Sequence, residues 1–210
     1  MTDAAITALL AELRACRICV ERPDGAPLPH EPRPVLQLGP RARLLVAGQA
    51  PGTRAHRSGQ PFTDPSGDRL RAWMGIGPEI FYDPARVAVV PMGFCFPGLD
   101  AAGADLPPRP ECQKNWHDAL FAAAQRFEVI LAVGRYAQAY HLARCGYELK
   151  KRAGVGDIVG RWREFSAGTP KIFPLPHPSW RNHGWLKRRP WFEAELAPEL
   201  KREVARLVSP

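Results

Sequence analysis

Four short apolar runs recur along the chain: "ARLLVAG" at 42–48, "ARVAVVPM" at 85–92, "EVILAVG" at 128–134 and "PKIFPLPH" at 170–177. Each is too short for a stable helix and apolar at nearly every position, which suits a strand buried on both faces. Helical spacing fills the intervals. A first helix is expected to run to about Cys16, with Ile6, Leu9, Leu10 and Leu13 on one face. "DPSGDRLRAWMGI" (64–76) carries its own cap, and a helix is expected to start after Pro110. "RYAQAYHLARCG" stops at Gly146, and the tail is helical from about Pro190. Strand and helix alternate without a repeat or a long linker. This predicts an α/β fold, a three-layer α/β/α sandwich on a central four-stranded, mostly parallel sheet, in one domain spanning 1–210.

In such folds ligands sit beyond the carboxyl ends of the strands. The residues there are Gly48-Gln49-Ala50, Cys95, Gly134 and His177. "VAGQAPG" is neither a dinucleotide fingerprint nor a phosphate-binding P-loop. Its glycines let a backbone approach a ligand closely, and they equally suit a plain strand-to-helix turn. His177 is held between prolines in "PLPHPSW". Phe62, after a Gly-Gln-Pro turn, suits either a core aromatic or a ring that stacks on a planar ligand.

The chain carries 29 Lys and Arg against 21 Asp and Glu, a formal charge of +8. "WRNHGWLKRRPWF" places four cations, a histidine and three tryptophans in thirteen residues. Cations interleaved with aromatics suit single-stranded or locally opened nucleic acid. No apolar run approaches the length needed to cross a bilayer, and no basic leader precedes the first helix, so a cytoplasmic protein without membrane contact is expected. Of the five cysteines, Cys16 and Cys19 form C-x-x-C, Cys95 and Cys112 flank a proline-rich loop, and Cys145 stands apart. Disulfides are not expected in that compartment. The first four suit thiolate ligation of zinc or an iron–sulfur cluster, or are small buried thiols.

Taken in order, these segments resemble the uracil-DNA glycosylase superfamily, and most of all its iron–sulfur branch. The parts are the C-x-x-C, "VAGQAPG", "SGQPFTDPSGDRL", "GFCFPG" with "RPECQ", "AVGRYA" and "HPSW". The resemblance implies a monofunctional DNA glycosylase that flips uracil or a related deaminated base out of DNA and leaves an abasic site. It implies base binding by Gly48, Gln49, Ala50, Phe62 and His177, with His177 donating to the carbonyl oxygen that gains charge. It implies DNA contacts from Ser179, Trp180, Arg181, Asn182, Lys187 and Arg188, with Trp180, Arg181 or Trp185 as the wedge. It implies a structural 4Fe-4S cluster on Cys16, Cys19, Cys95 and Cys112. The expected partners are damaged DNA and the product uracil, and a monomer is expected.

Two departures stand out. The branch carries Glu where this chain has Gln49, and another branch carries Asp where this chain has Ala50. Gln49 can position a water but cannot serve as a base, so Asp64 is taken as the candidate catalytic carboxylate, with Asp68 nearby. Pro91 stands near the place where an Asn would read the base, and Gln60 and Asn182 are the candidate substitutes. A non-catalytic binder of damaged DNA is the alternative function on the same fold.

Overall fold

The computed structural model describes residues 3–124, 127–150 and 153–208. The four apolar runs form four strands: β1 (Leu44–Ala47), β2 (Val87–Val89), β3 (Val129–Val133) and β4 (Lys171–Leu175). They pair in the order β2-β1-β3-β4, and every pairing is parallel. The register sets Leu45 beside Ala88 and Ile130, and Ile130 beside Ile172. Because side chains alternate along a strand, these residues make one continuous apolar face. Leu10, Leu13, Leu120 and Leu142 cover it. Leu44, Val46, Leu131 and Phe173 make the opposite face, under Trp73, Phe81, Phe192 and Leu200. The result is the expected three-layer α/β/α sandwich. Each leucine buried there contributes about 1.5–3 kcal/mol. β4 pairs only with β3, and that edge position tolerates Pro174, which has no N–H to offer the ladder.

The helix Asp3–Arg14 buries Ile6, Leu10 and Leu13. The helix Pro65–Met74 begins where the Asp64 side chain accepts the Gly67 N–H at 3.3 Å, and it ends at Gly75 with φ of 71°. The helix expected after Pro110 is present as Pro110–Cys112 and Asp118–Ala123, joined by a π-turn at Gln113–His117. Gln125 and Arg126, within the expected helix, lie outside the described residues. Arg135–Arg144 is helical, with Gly146 just beyond it at φ of 80°. A second π-turn, Phe192–Leu196, leads into the terminal helix Ala197–Val208. Several short helices had not been expected, among them Val155–Gly160 and Trp162–Ser166. These two bury Ile158, Val159, Trp162 and Phe165. No helix among the described residues is long and apolar enough to cross a membrane.

Candidate active site

Past β1 the chain is tied to the segment past β2. Gly48 O accepts from Met92 N and Gln49 O accepts from Gly93 N, both at 2.9 Å. The short helix Thr53–Ser58 then turns the chain away. These bonds hold open a pocket of about 280 Å³ at the carboxyl ends of the strands, near the lower end of the range for small-molecule sites. Gly48, Gln49 and Ala50 form its floor, with Val35, Val89 and Pro91 as apolar wall. Phe62, Asp64, Asp105 and His177 bring the ring and the titratable groups. Three stretches far apart in sequence, around 48–50, 62 and 177, therefore meet as expected. Gly134 does not reach the pocket. It takes φ of 81° and starts the next helix.

Phe62 is the one non-glycine residue among those described with a left-handed backbone, φ of 54°. Such a conformation costs energy and persists only where neighbours enforce it. The neighbours are present. The Phe62 carbonyl lies 3.1 Å from the Tyr82 hydroxyl and accepts from Arg71 at 3.2 Å. Gly67 packs so close that a Cβ there would stand 1.9 Å from Phe62 O. The Phe62 ring meets Phe81 edge-on, and its tip lies 3.4 Å from where a Gly48 Cβ would stand. The strained turn thus sets a half-buried ring edge-on to the pocket floor.

His177 sits in a rigid loop. Pro176 and Pro178 are buried on either side while the imidazole faces the pocket mouth and is exposed. Asn182 Nδ2 donates to His177 O at 2.7 Å, and Arg69 donates to Ser179 O at 3.1 Å. Protein crowds the ring on its other sides, and this desolvation lowers its pKa below the usual histidine value, against the pull of Asp64 and Asp105. His177 is therefore neutral near pH 7 and offers one N–H donor.

Asn182 is occupied with the His177 carbonyl, and Gln60 is exposed and does not line the pocket, so neither takes the base-reading place. Asp68 is exposed and pairs with Arg71 at 2.6 Å. Asp64 lines the pocket, but its Oδ1 accepts from Ser66 Oγ at 2.5 Å and caps the helix. Gln49 turns its amide to the Leu106 carbonyl, 57 residues away, at 3.4 Å. Asp105, which sequence reasoning did not single out, comes to the pocket from the proline-rich loop. Burial raises its carboxyl pKa, while His177 and Arg181 pull it down. No local signal marked it, because only the folded loop brings it beside His177.

The residues expected to contact DNA lie in the segment 179–188 that follows His177. Trp180 is 76% exposed, Arg181 lies over its ring at 5.8 Å, and Lys187 and Arg188 are exposed on and just past the helix His183–Lys187. Trp185 does not join them. It is half-buried against Trp191 and Phe192. Trp180 is the exposed tryptophan of this segment.

On a neighbouring part of the fold, Cys19 and Cys95 share a small apolar cluster with Leu28. Cys19, Cys95 and Cys112 are buried, and Cys16 is half-buried. A hydrogen bond from Cys112 lowers the Cys19 pKa to about 7, with Arg109 aiding and burial opposing. The same bond and burial raise Cys112. Burial pushes Cys95 up to about 12, and Cys19 and Cys16 are near enough to add to the shift. Cys95 thus lies near Cys16, Cys19 and Cys112, whereas Cys145 stands apart at the end of the helix Arg135–Arg144. Among the described residues no group of three or more His, Cys, Asp or Glu is spaced to hold a single metal ion.

The family model described as the uracil DNA glycosylase superfamily matches residues 36–201. That span includes the four strands, Cys95, Cys112 and all of the pocket residues except Val35, and it leaves Cys16 and Cys19 outside. Over most of its length, with the parallel sheet and the glycine floor, aromatic ring and histidine at its rim, the chain belongs to the uracil DNA glycosylase superfamily.

Proposed function

We propose that the protein is a monofunctional DNA glycosylase that flips uracil or a related deaminated base out of DNA and hydrolyses its glycosidic bond, leaving an abasic site. The observation that carries this reading is the meeting of Gly48–Ala50, Phe62 and His177 in one small pocket, beside a cationic surface with an exposed tryptophan. Bases are chemically accessible only once out of the stack. Trp180 would fill the gap in the duplex, Phe62 would pack against the flipped ring, and backbone amides at Gln49 and Ala50 would meet its carbonyls. His177 would donate to the carbonyl oxygen that gains negative charge. The protein would act as a cytoplasmic monomer on the DNA.

The four mutually close cysteines favour the iron–sulfur branch. An all-sulfur donor set is the ordinary holder of such clusters, and a four-iron cluster is larger than the single ion for which no spacing was found. Cys16, Cys19, Cys95 and Cys112 would hold it. Its contribution would be structural, a staple between the N-terminal helix and the proline-rich loop.

The absence of a carboxylate at Gln49 favours the second reading, a binder of damaged bases that does not cut. Oligonucleotides containing uracil, single- and double-stranded, separate the two after alkaline treatment on a denaturing gel. Strand cleavage at the uracil supports the enzyme. Retained binding without cleavage overturns it. Binding should weaken with salt, and replacing Arg181, Lys187 and Arg188 by Ala should reduce the log–log salt slope by ~0.7–0.9 for each phosphate no longer gripped.

A further inference from the structure

We propose that Asp105 is the catalytic carboxylate of this pocket, and that Gln49 is a positioning residue that anchors the loop carrying it. This rests on the glycosylase reading above and assigns the water-activating group that the first motif lacks.

The Asp105 loop is built to hold one position. Asp100 N–H donates to Ala104 O at 2.8 Å, and its Oδ1 accepts from Ala102 N at 2.9 Å and Ala104 N at 2.8 Å. Leu106 N–H donates to Gly98 O at 3.0 Å, and Leu99 and Asp105 form an antiparallel bridge. The loop base is thus closed on both sides of Asp105. Its Oδ2 stands 3.7 Å from where a Cβ on Gly52 would lie, over the backbone just past the pocket floor. No described residue donates a hydrogen bond to this carboxylate, whereas Asp64 has one oxygen committed to Ser66 and Gly67. Asp105 is therefore the carboxylate free to hold a water.

Gln49 fits the same arrangement. Its amide donates to the Leu106 carbonyl at 3.4 Å, next to Asp105. A glutamate could not donate there and would place a second negative charge beside the first. The odd residue of the motif thus serves the loop rather than the water.

The step balances as hydrolysis. The bond between sugar C1′ and the base nitrogen breaks with its electron pair on the base. A solvent water gives an electron pair to C1′ and its proton to Asp105, which passes it on to the base anion or to solvent. The products are the free base and an abasic sugar bearing the new hydroxyl. Asp105 acts ionised, so excision falls as pH drops through its pKa, which burial holds above that of an ordinary aspartate. The charged groups facing it are His177 and Arg181 from the loop after β4 and Asp64 from the cap of Pro65–Met74. Arg54 from the helix Thr53–Ser58 lines the same pocket.

Single-turnover release of uracil from a duplex tests the assignment. Asp105→Asn should slow release by about 10²–10⁴-fold, the usual range for a lost general base. DNA affinity and melting temperature should match the wild type, and the acid limb of the pH profile should vanish. Asp105→Glu should restore part of the rate. Gln49→Ala should also slow release, but the double variant Gln49→Ala/Asp105→Asn should be no slower than Asp105→Asn alone, as for residues acting as a unit. A wild type that cleaves while Asp105→Asn keeps its rate or its acid limb overturns the assignment and leaves the glycosylase reading intact. A wild type that releases no base from uracil-containing DNA overturns both.

Discussion

His177→Ala is expected to slow base release by about 10²–10³-fold, the effect of removing one donor aimed at developing charge, with DNA binding retained. The imidazole meets the pocket but does not hold up the fold. Its ring is exposed, and its loop is fixed by the flanking prolines, by Asn182 on the His177 backbone and by Arg69 on Ser179. Alanine leaves all of these in place, so the loss falls on the chemical step. As the glycosidic bond breaks, the base becomes anionic, and a fixed N–H in a partly dry pocket stabilises it more than water would. The lowered pKa works in the same direction. The ring is already neutral near pH 7, and raising the pH further does not remove its donor. Wild-type turnover in this variant would take His177 out of the mechanism.

Cys112→Ser should abolish bound iron and lower the melting temperature sharply. Protein purified without oxygen should be brown, absorb near the blue edge of the visible and carry about four irons per chain, as a 4Fe-4S cluster requires. Cys16 and Cys112 bracket nearly half the sequence. A cross-link closing a loop of about 100 residues contributes ~4–5 kcal/mol by chain entropy. For a chain of this size each kcal/mol moves the melting temperature by ~2–4 °C, so a fall of roughly 10–20 °C is expected. The side chain is buried and accepts from Phe94 N at 3.4 Å. A merely structural thiol there would lose less on changing to serine and would bring no iron. A colourless, iron-free anaerobic preparation would dismiss the cluster.

The strands were legible because the sheet is buried on both faces. Such strands are apolar at every position and stand out from amphipathic helices. The cap of Pro65–Met74 was legible because Asp64-Pro65 does local work. Val155–Gly160 and Trp162–Ser166 were not read because Gly154, Gly156 and Gly160 disfavour a helix locally. Burial of Ile158, Val159, Trp162 and Phe165 overrides that preference. The same contrast holds in the site. Gly48–Ala50 and His177 follow strands, so topology alone placed them on one rim. Asp105 lies within a proline-rich loop, and its approach to His177 depends on hydrogen bonds around Asp100 that have no periodic signature. Trp185 and Asn182 share composition with the exposed residues around Trp180, and only packing separates them.

A flipped base is expected to enter the pocket floored by Gly48, Gln49 and Ala50. A crystal structure of Asp105→Asn bound to a uracil-containing duplex tests it most directly. The expected result is an extrahelical uridine with its ring against Phe62, a pyrimidine oxygen within hydrogen-bond distance of His177, and Trp180 in the vacated stack. A uracil still paired in the duplex with the pocket vacant, or DNA seated on another face of the protein, would contradict it.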